Sequence, residues 1–118
     1  LKHIIADASF IIVPSECYEN NPMTIIEGYI QGIPVIGSAI GGIPEIIQNG
    51  QTGYTFTCRD KNDLIAKIKK ASYLSDKEYM EMSLSARQFA ENNFNEGKYY
   101  NKLIDFYMQI INNIKKAN

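Results

Sequence analysis

The sequence predicts an α/β fold, a parallel sheet with helices on both sides, and three observations carry that prediction. Three short apolar runs, Ser9–Val13, Ile33–Gly37 and Gly53–Thr57, are continuous rather than alternating. Continuity marks strands covered on both faces, as in a parallel sheet. The first two runs lead through loops rich in Gly, Pro, Ser and Asn into helix-like segments, and a β-loop-α-β order favours parallel pairing through crossovers. Beyond Arg59 the texture changes to long, charged, helix-periodic sequence. Three short strands are a small platform for so many helices. The sheet is therefore expected to be incomplete, continuing upstream of Leu1, with an exposed apolar edge where further strands belong.

Each element has a local reason. The first strand, 9–13, is stopped by Pro14-Ser15. A polar loop, 16–21, ends at Asn21, a suitable N-cap, and Pro22 suits the first helical position. The helix is expected to run to about Gln31 and to end at Gly32. In the second strand, 33–37, Pro34 points to a sheet edge or a strand start. Residues 38–42 form a loop, Pro44 and Glu45 open a short helix that ends at Asn49-Gly50, and the third strand covers 53–57. Asp60 is placed to cap a helix over 61–73. Ser75-Asp76-Lys77-Glu78 has the S-x-x-E pattern of a capping box and opens a helix to about Asn92. A last helix, 96–116, carries the stripe Leu103, Phe106/Tyr107, Ile110 and Ile114.

Composition excludes several classes of function. The 118 residues are 45 % apolar and 21 % charged, a globular balance for one ordinary domain. A net charge of −1 gives no global field for nucleic acid. No apolar run reaches the ~20 residues of a membrane-spanning helix. With two distant cysteines, Cys17 and Cys58, and one histidine, His3, a structural zinc site is not expected, and the cysteines read as free thiols. The charge is uneven: residues 1–58 hold one Lys and five acidic groups, whereas 59–118 hold eleven basic and eight acidic groups. No Lys or Arg stands between Lys2 and Arg59.

In an open parallel sheet, ligands bind beyond the carboxyl ends of the strands. Two strand-to-helix loops share that edge, 14–22 and 38–43, and each delivers a helix N-terminus whose amides and dipole favour an anion. Asn20, Asn21, Gly41 and Gly42 let backbone approach a ligand closely, although the same residues serve ordinary turns. Glu19 stands just before the first of these helices. Helical periodicity puts Met23, Ile25, Ile26, Tyr29 and Ile30 on one side, and Thr24, Glu27, Gly28 and Gln31 on the other. By periodicity alone Glu27 is a solvated residue. It becomes a ligand group if its face borders the crevice, since a carboxylate accepts hydrogen bonds from vicinal hydroxyls. His3, Tyr18 and the basic tail (Lys98, Lys102, Lys115, Lys116) read as surface or packing groups.

The stretch from Ala6 to Gly53 resembles the family 4 glycosyltransferases of the GT-B fold. The residues that carry it are Ala6-Asp7-Ala8, Pro14-Ser15, Glu19-Asn20-Asn21-Pro22-Met23-Thr24-Ile25-Ile26-Glu27-Gly28, Gly32-Ile33-Pro34-Val35-Ile36, Gly41-Gly42-Ile43-Pro44-Glu45, Asn49-Gly50 and Gly53. A lone E-x7-E pair such as Glu19 and Glu27 arises by chance, but the G-x-P-V-I and G-G-x-P-E segments at the right distances make it specific. The match covers about residues 6–57, and the helical part, 60–118, agrees in layout only. Gly28 stands where the family commonly has Ala.

The resemblance implies that residues 1–118 are the latter part of a C-terminal, Rossmann-like donor-binding domain, an incomplete half of that domain. It implies a retaining glycosyltransferase that moves a sugar from a nucleotide-diphosphate sugar to a glycan, lipid or other acceptor, as in polysaccharide biosynthesis. Glu19 would contact hydroxyls of the donor sugar and take the catalytic role. Glu27 would grip the ribose. Backbone amides around Pro22, Met23 and Thr24 would hold the distal phosphate, with Asn20 and Asn21 leading into them and Gly41-Gly42 shaping the adjoining loop. No cofactor and no metal ion are required by the family. The implied partners are the nucleotide sugar, the acceptor and a missing N-terminal domain of the same chain, with no nucleic acid. The implied location is cytoplasmic or the inner face of the membrane, with room for peripheral membrane contact. A leaving diphosphate without a metal needs Arg or Lys. The family places that basic pair earlier in the donor domain, outside these residues. Arg59, Lys61 and Lys67 follow the third strand and are the groups here that could fold back. The 118 residues alone are therefore expected to bind a donor weakly and to lack turnover. The alternative is a non-catalytic α/β binding or interaction module in which Glu19 and Glu27 are surface residues; an epimerase or phosphorylase of the same fold would call for a different first loop.

Overall fold

The computed structural model describes residues 8–18, 22–94 and 96–117, the side chains of 96–103 excepted. Its elements run β1 (Ile11–Val13), α1 (Met23–Ile30), β2 (Val35–Ser38), α2 (Ile43–Ile46), β3 (Gly53–Phe56), α3 (Lys61–Ser72), α4 (Asp76–Phe94) and α5 (Glu96–Ala117). The sheet is parallel throughout, in the order β1-β2-β3, with Ile12 beside Ile36 and Ile36 beside Tyr54. Each expected strand is present: the first starts two residues later than expected, the third ends one residue earlier, and the second is shifted, starting two residues later and reaching Ser38.

The central strand shows why the apolar runs are continuous. Val35 packs into a cluster with Ile25, Tyr29, Ile43, Ile46, Ile47, Ala86 and Ala90, which places α1, α2 and the latter half of α4 on one face. Its neighbour Ile36 packs with Tyr54, Phe56, Ala71 and Met82, which places α3 and the start of α4 on the other. Consecutive strand residues point to opposite faces, so a strand buried on both must be apolar at every position. Pro34 precedes β2 and costs it no ladder bond. Of the two positions the proline allowed, the strand start is the one found, because β2 is central and not an edge.

β1 is an edge strand, and Ile12 on it is 44 % exposed. The apolar edge expected from the sequence is there. Phe10, Ile12, Ile36, Ile68 and Tyr79 border a cleft of about 430 Å³ beside it.

The helix ends follow their predicted chemistry in most places. Asp60 Oδ1 accepts the Asp63 amide at 3.0 Å. The capping box is reciprocal: Ser75 N–H donates to Glu78 Oε2 at 2.8 Å, and Glu78 N–H to Ser75 Oγ at 3.2 Å. Gly32 ends α1 with φ +73°, a left-handed conformation that suits glycine. The start of α1 is a correction. Pro22, not Asn21, takes the capping position, with φ −70° and ψ 102° and no side-chain cap; the extended backbone that this proline adopts delays the helix to Met23. The helix α2 ends at Ile46, earlier than Asn49-Gly50, because Asn49 instead forms a bridge to Gly53.

Two faces are also corrected. Gly28, assigned to the polar side of α1, is buried, while Met23 and Ile30 are exposed. The reason is contact: a Cβ on Gly28 would lie 2.6 Å from Ile11 Cδ1, so β1 packs against that turn. On α5, Phe106, Tyr107, Ile110 and Ile114 of the expected apolar stripe are all exposed. Leu103 lies outside the described side chains. Among the described residues no helix is long and apolar enough to cross a membrane.

Candidate functional site

The carboxyl ends of the three strands gather the loops that the sequence singled out. Pro14, Ser15 and Glu16 follow β1, Ala39 to Gly42 follow β2, and Thr57 to Asp60 follow β3. One carbonyl ties these loops together. Ser15 O accepts the Ser38 hydroxyl at 2.6 Å and faces Cys58 Sγ at 3.7 Å. The Ala39 amide donates to Phe56 O at 2.7 Å. Ser38 is fully buried, so its hydroxyl must find such a partner. Cys17 and Cys58 are free thiols, the first exposed and the second half-buried.

The helix α1 brings its N-terminus to this edge. Its first amides have no partner within the helix, and a proline at the cap has no side-chain oxygen to offer them. Met23, Thr24 and Glu27 are exposed around that end and the turn after it. Tyr29 anchors the other side of the helix: its hydroxyl is 2.7 Å from Thr52 Oγ1, and Thr52 Oγ1 also accepts the Gln48 amide at 2.9 Å. Both side chains are fully buried. Desolvation pushes the Tyr29 phenol up to about 12, against a smaller lowering by the Thr52 hydrogen bond.

On the second loop, Gly41 has φ +59°, and Gly42 caps α2, so both glycines sit at the turn into that helix. Of the residues named from the sequence, the structure thus places Pro22, Met23, Thr24 and Glu27 on one helix start and turn, and Gly41 and Gly42 on the neighbouring one. Glu19, Asn20 and Asn21 lie outside the described residues, as does His3.

Two cations reach the same edge. Arg59 Nε is 3.8 Å from Glu16 Oε2, with both side chains largely exposed. Arg59 also has a φ of +66°. Lys61 begins α3 beside it. Lys67, by contrast, pairs with Asp63 at 3.8 Å along α3. The sequence marked all three as able to fold back. It gave no sign of the Tyr29–Thr52 pair or of the Ser38–Ser15 tie, because both join residues 23 positions apart through side chains that also occur in turns.

Comparison with known proteins bears on the family and the fold. Residues 1–93 match the family model of the glycosyl transferases group 1. The sulfoquinovosyl transferase SQD2 of Arabidopsis thaliana is 33 % identical over 85 residues, which are 70 % of this chain and 16 % of that protein. A solved glycosyltransferase of Rickettsia africae is similar with a TM-score of 0.84 and 29 % identity, over 92 % of this chain and 29 % of that one. Anabaena HepE, solved in complex with UDP, has a TM-score of 0.83 at 18 % identity over 90 % of this chain and 29 % of its own, a likeness of fold. The chain thus spans less than a third of each of these proteins.

Proposed function

This chain belongs to the group 1 glycosyl transferases, and from that premise we propose that it forms part of the donor subsite of an enzyme that takes a sugar from a nucleotide-diphosphate sugar with retention of anomeric configuration. In this reading residues 1–118 belong to the C-terminal donor-binding domain, with the motif core in 6–57 and supporting helices in 60–118. The acceptor is a glycan, a lipid or another hydroxyl compound bound with the help of an N-terminal domain. No metal ion takes part.

The observation that carries the reading is the start of α1. It is a helix N-terminus without a side-chain cap, at the carboxyl edge of a parallel sheet, followed by the exposed Glu27. The Met23 and Thr24 amides and the helix dipole favour the distal phosphate of the donor. Glu27 accepts hydrogen bonds from the ribose hydroxyls, and Glu19, from the loop that leads into the helix, accepts them from the donor sugar. Asn20 and Asn21 set the approach of that loop, and Gly41-Gly42 leave room beside it. That the fold-related HepE was solved with UDP supports a nucleotide sugar as the partner.

The test uses the full-length protein. Glu27→Ala or Glu19→Ala should each lower sugar transfer by at least ~10-fold, since a hydrogen bond to a charged group is worth ~1.5–3 kcal/mol. Full activity in either variant rejects the role assigned to that residue.

A further inference from the structure

The ladder between β1 and β2 stops one residue short of the end of β2. β1 pairs with β2 as far as Val13 opposite Gly37, while β2 runs on beside β3 to Ser38 opposite Phe56. Pro14, next on the β1 side, has no backbone N–H and cannot extend the ladder. At that point a side chain takes over: the Ser38 hydroxyl donates to the Ser15 carbonyl at 2.6 Å. The bond runs from β2 to the loop that leads from β1 into α1. Strand alternation sends the Ser38 side chain to the α3 face with Ile36, since Val35 and Gly37 face Ile43 and Ile47 on the other side. The loop is therefore held at Ser15 on the α3 side and delivered to α1, which packs on the opposite face.

We propose that Ser38 is a positioning residue for sugar transfer: its buried hydroxyl fixes the point at which the β1–α1 loop leaves the sheet, and through that loop it sets Glu19, four residues beyond Ser15, against the donor sugar; this rests on the transferase reading above and on the role given there to Glu19. The anchor itself is firm. Ser38 is fully buried, its backbone lies in the ladder with β3, and the next amide, Ala39 N–H, donates to Phe56 O at 2.7 Å. Two further contacts reach the same stretch of loop. The Cys58 thiol faces the Ser15 carbonyl at 3.7 Å, and a thiol is a weak donor. Arg59 faces Glu16 at 3.8 Å with both groups largely exposed, a pairing that contributes little. Of the three contacts, the Ser38 bond is the short and buried one.

The choice of residue points to placement of the loop. β2 is buried at all four of its positions, and the sheet there asks only for small or apolar side chains. A buried hydroxyl must be given a partner, a requirement that alanine would spare the strand. Serine at this position adds little to the sheet, whose β1–β2 ladder has already ended, and much to the loop, whose exit it holds. A tie that serves stability alone and a tie that places Glu19 differ in one respect. The first changes the folded fraction in any background. The second changes the rate, and only while Glu19 is there to be placed.

The experiment uses the full-length protein, the donor among UDP-glucose, ADP-glucose and GDP-mannose that it turns over, and the matching nucleoside diphosphate as a probe of binding. Ser38→Ala should lower kcat by ~3–10-fold, the effect of losing one neutral hydrogen bond. KM for the donor and inhibition by the nucleoside diphosphate should change by less than ~2-fold, because the α1 start and Glu27 are untouched. In the Glu19→Ala background the same substitution should cost no further rate. Hydrogen exchange read by mass spectrometry needs no donor: it should quicken by ~2–10-fold over residues 14–18 and stay unchanged in the β2–β3 ladder. Full activity in Ser38→Ala, an equal loss in the parent and Glu19→Ala backgrounds, a raised KM with unchanged kcat, or unchanged exchange over 14–18 overturns the proposal. If Glu19→Ala is itself fully active, the donor role of Glu19 falls and this inference with it. If Glu19→Ala is crippled and Ser38→Ala is not, the positioning role falls alone and the transferase reading stands.

Discussion

Replacing Thr52 by Val keeps the shape of a fully buried side chain and removes its one hydroxyl. That hydroxyl has two partners, the Tyr29 phenol at 2.7 Å and the Gln48 amide at 2.9 Å. Valine leaves both without it. A buried polar group left unsatisfied costs ~1–3 kcal/mol, so Thr52→Val should cost about 2–4 kcal/mol, a large share of the ~5–15 kcal/mol that holds a typical domain together. Tyr29→Phe removes one partner and leaves Thr52 with its Gln48 bond, so it should cost only about 0.5–1.5 kcal/mol. In the Tyr29→Phe background the valine orphans the Gln48 amide alone. The double-mutant cycle should therefore show a coupling of about 1 kcal/mol, the double variant being more stable than the sum of the singles. Urea unfolding of the four proteins measures this. Equal costs for the two single changes, or strict additivity, would refute the account of Thr52 as a shared hub. The consequence extends beyond stability, because Tyr29 holds α1, whose N-terminus is the proposed phosphate site.

Two glycines should behave in opposite ways. A Cβ on Gly53, at φ +155°, would sit 1.9 Å from the carbonyl oxygen of Val35, so Gly53→Ala should break the β2–β3 ladder, cost more than ~4 kcal/mol and abolish soluble expression. A Cβ on Gly28 would crowd the tip of Ile11 and touch the Ile33 carbonyl and Val35 at ordinary contact distances; Gly28→Ala should stay within about 1 kcal/mol of the parent in urea unfolding, since the Ile11 tip can give way and the gain in helix propensity of ~1 kcal/mol offsets the contact. Alkaline unfolding should begin early: Tyr29 keeps its proton in the folded state up to about 12, whereas an unfolded phenol loses it near ~10, so stability should fall across that interval by about 3 kcal/mol at ~1.36 kcal/mol per unit, and Tyr29 should lag in the ultraviolet titration, in the same direction as Tyr54 and Tyr79, whose phenols burial also raises. In acid, the backbone amides of Thr57 and Ser75 hold Asp63 and Glu78 below the usual carboxylate range. Their contribution is present above that range and is lost as pH falls through the lowered values, so far-ultraviolet dichroism should show α3 and α4 fraying on acidification.

The strands were legible because burial on both faces forces an unbroken apolar run, which Val35-Ile36 on the central strand obey, and β1 carries the same kind of run, Phe10-Ile11-Ile12-Val13, although Ile12 is exposed at the sheet edge. The caps were legible because Asp60 and the Ser75–Glu78 pair act within three residues of themselves. Contacts across the fold were not. Periodicity sorted α1 by polarity and put Gly28 with Glu27, but a glycine has no polarity to sort, and its burial is set by Ile11 on another element. The apolar stripe of α5 followed the helical period faithfully, yet a stripe states only that a face can be buried and names nothing to bury it.

The sequence posed a charge problem that the fold answers in part. No Lys or Arg occurs between Lys2 and Arg59, so the first two β-α units bring no cationic side chain to the strand ends. The turn after β3 then carries Arg59 and Lys61 back beside Glu16. Positive charge therefore arrives on the α3 side of the sheet, while the uncapped helix start and Glu27 lie on the α1 side. The Ser15 carbonyl, held by Ser38 and facing Cys58, ties the ends of the three strands together there. A nucleotide diphosphate on the α1 side, as proposed, needs cations from elsewhere in the protein, because Arg59 stands beside Glu16 on the other side of the sheet.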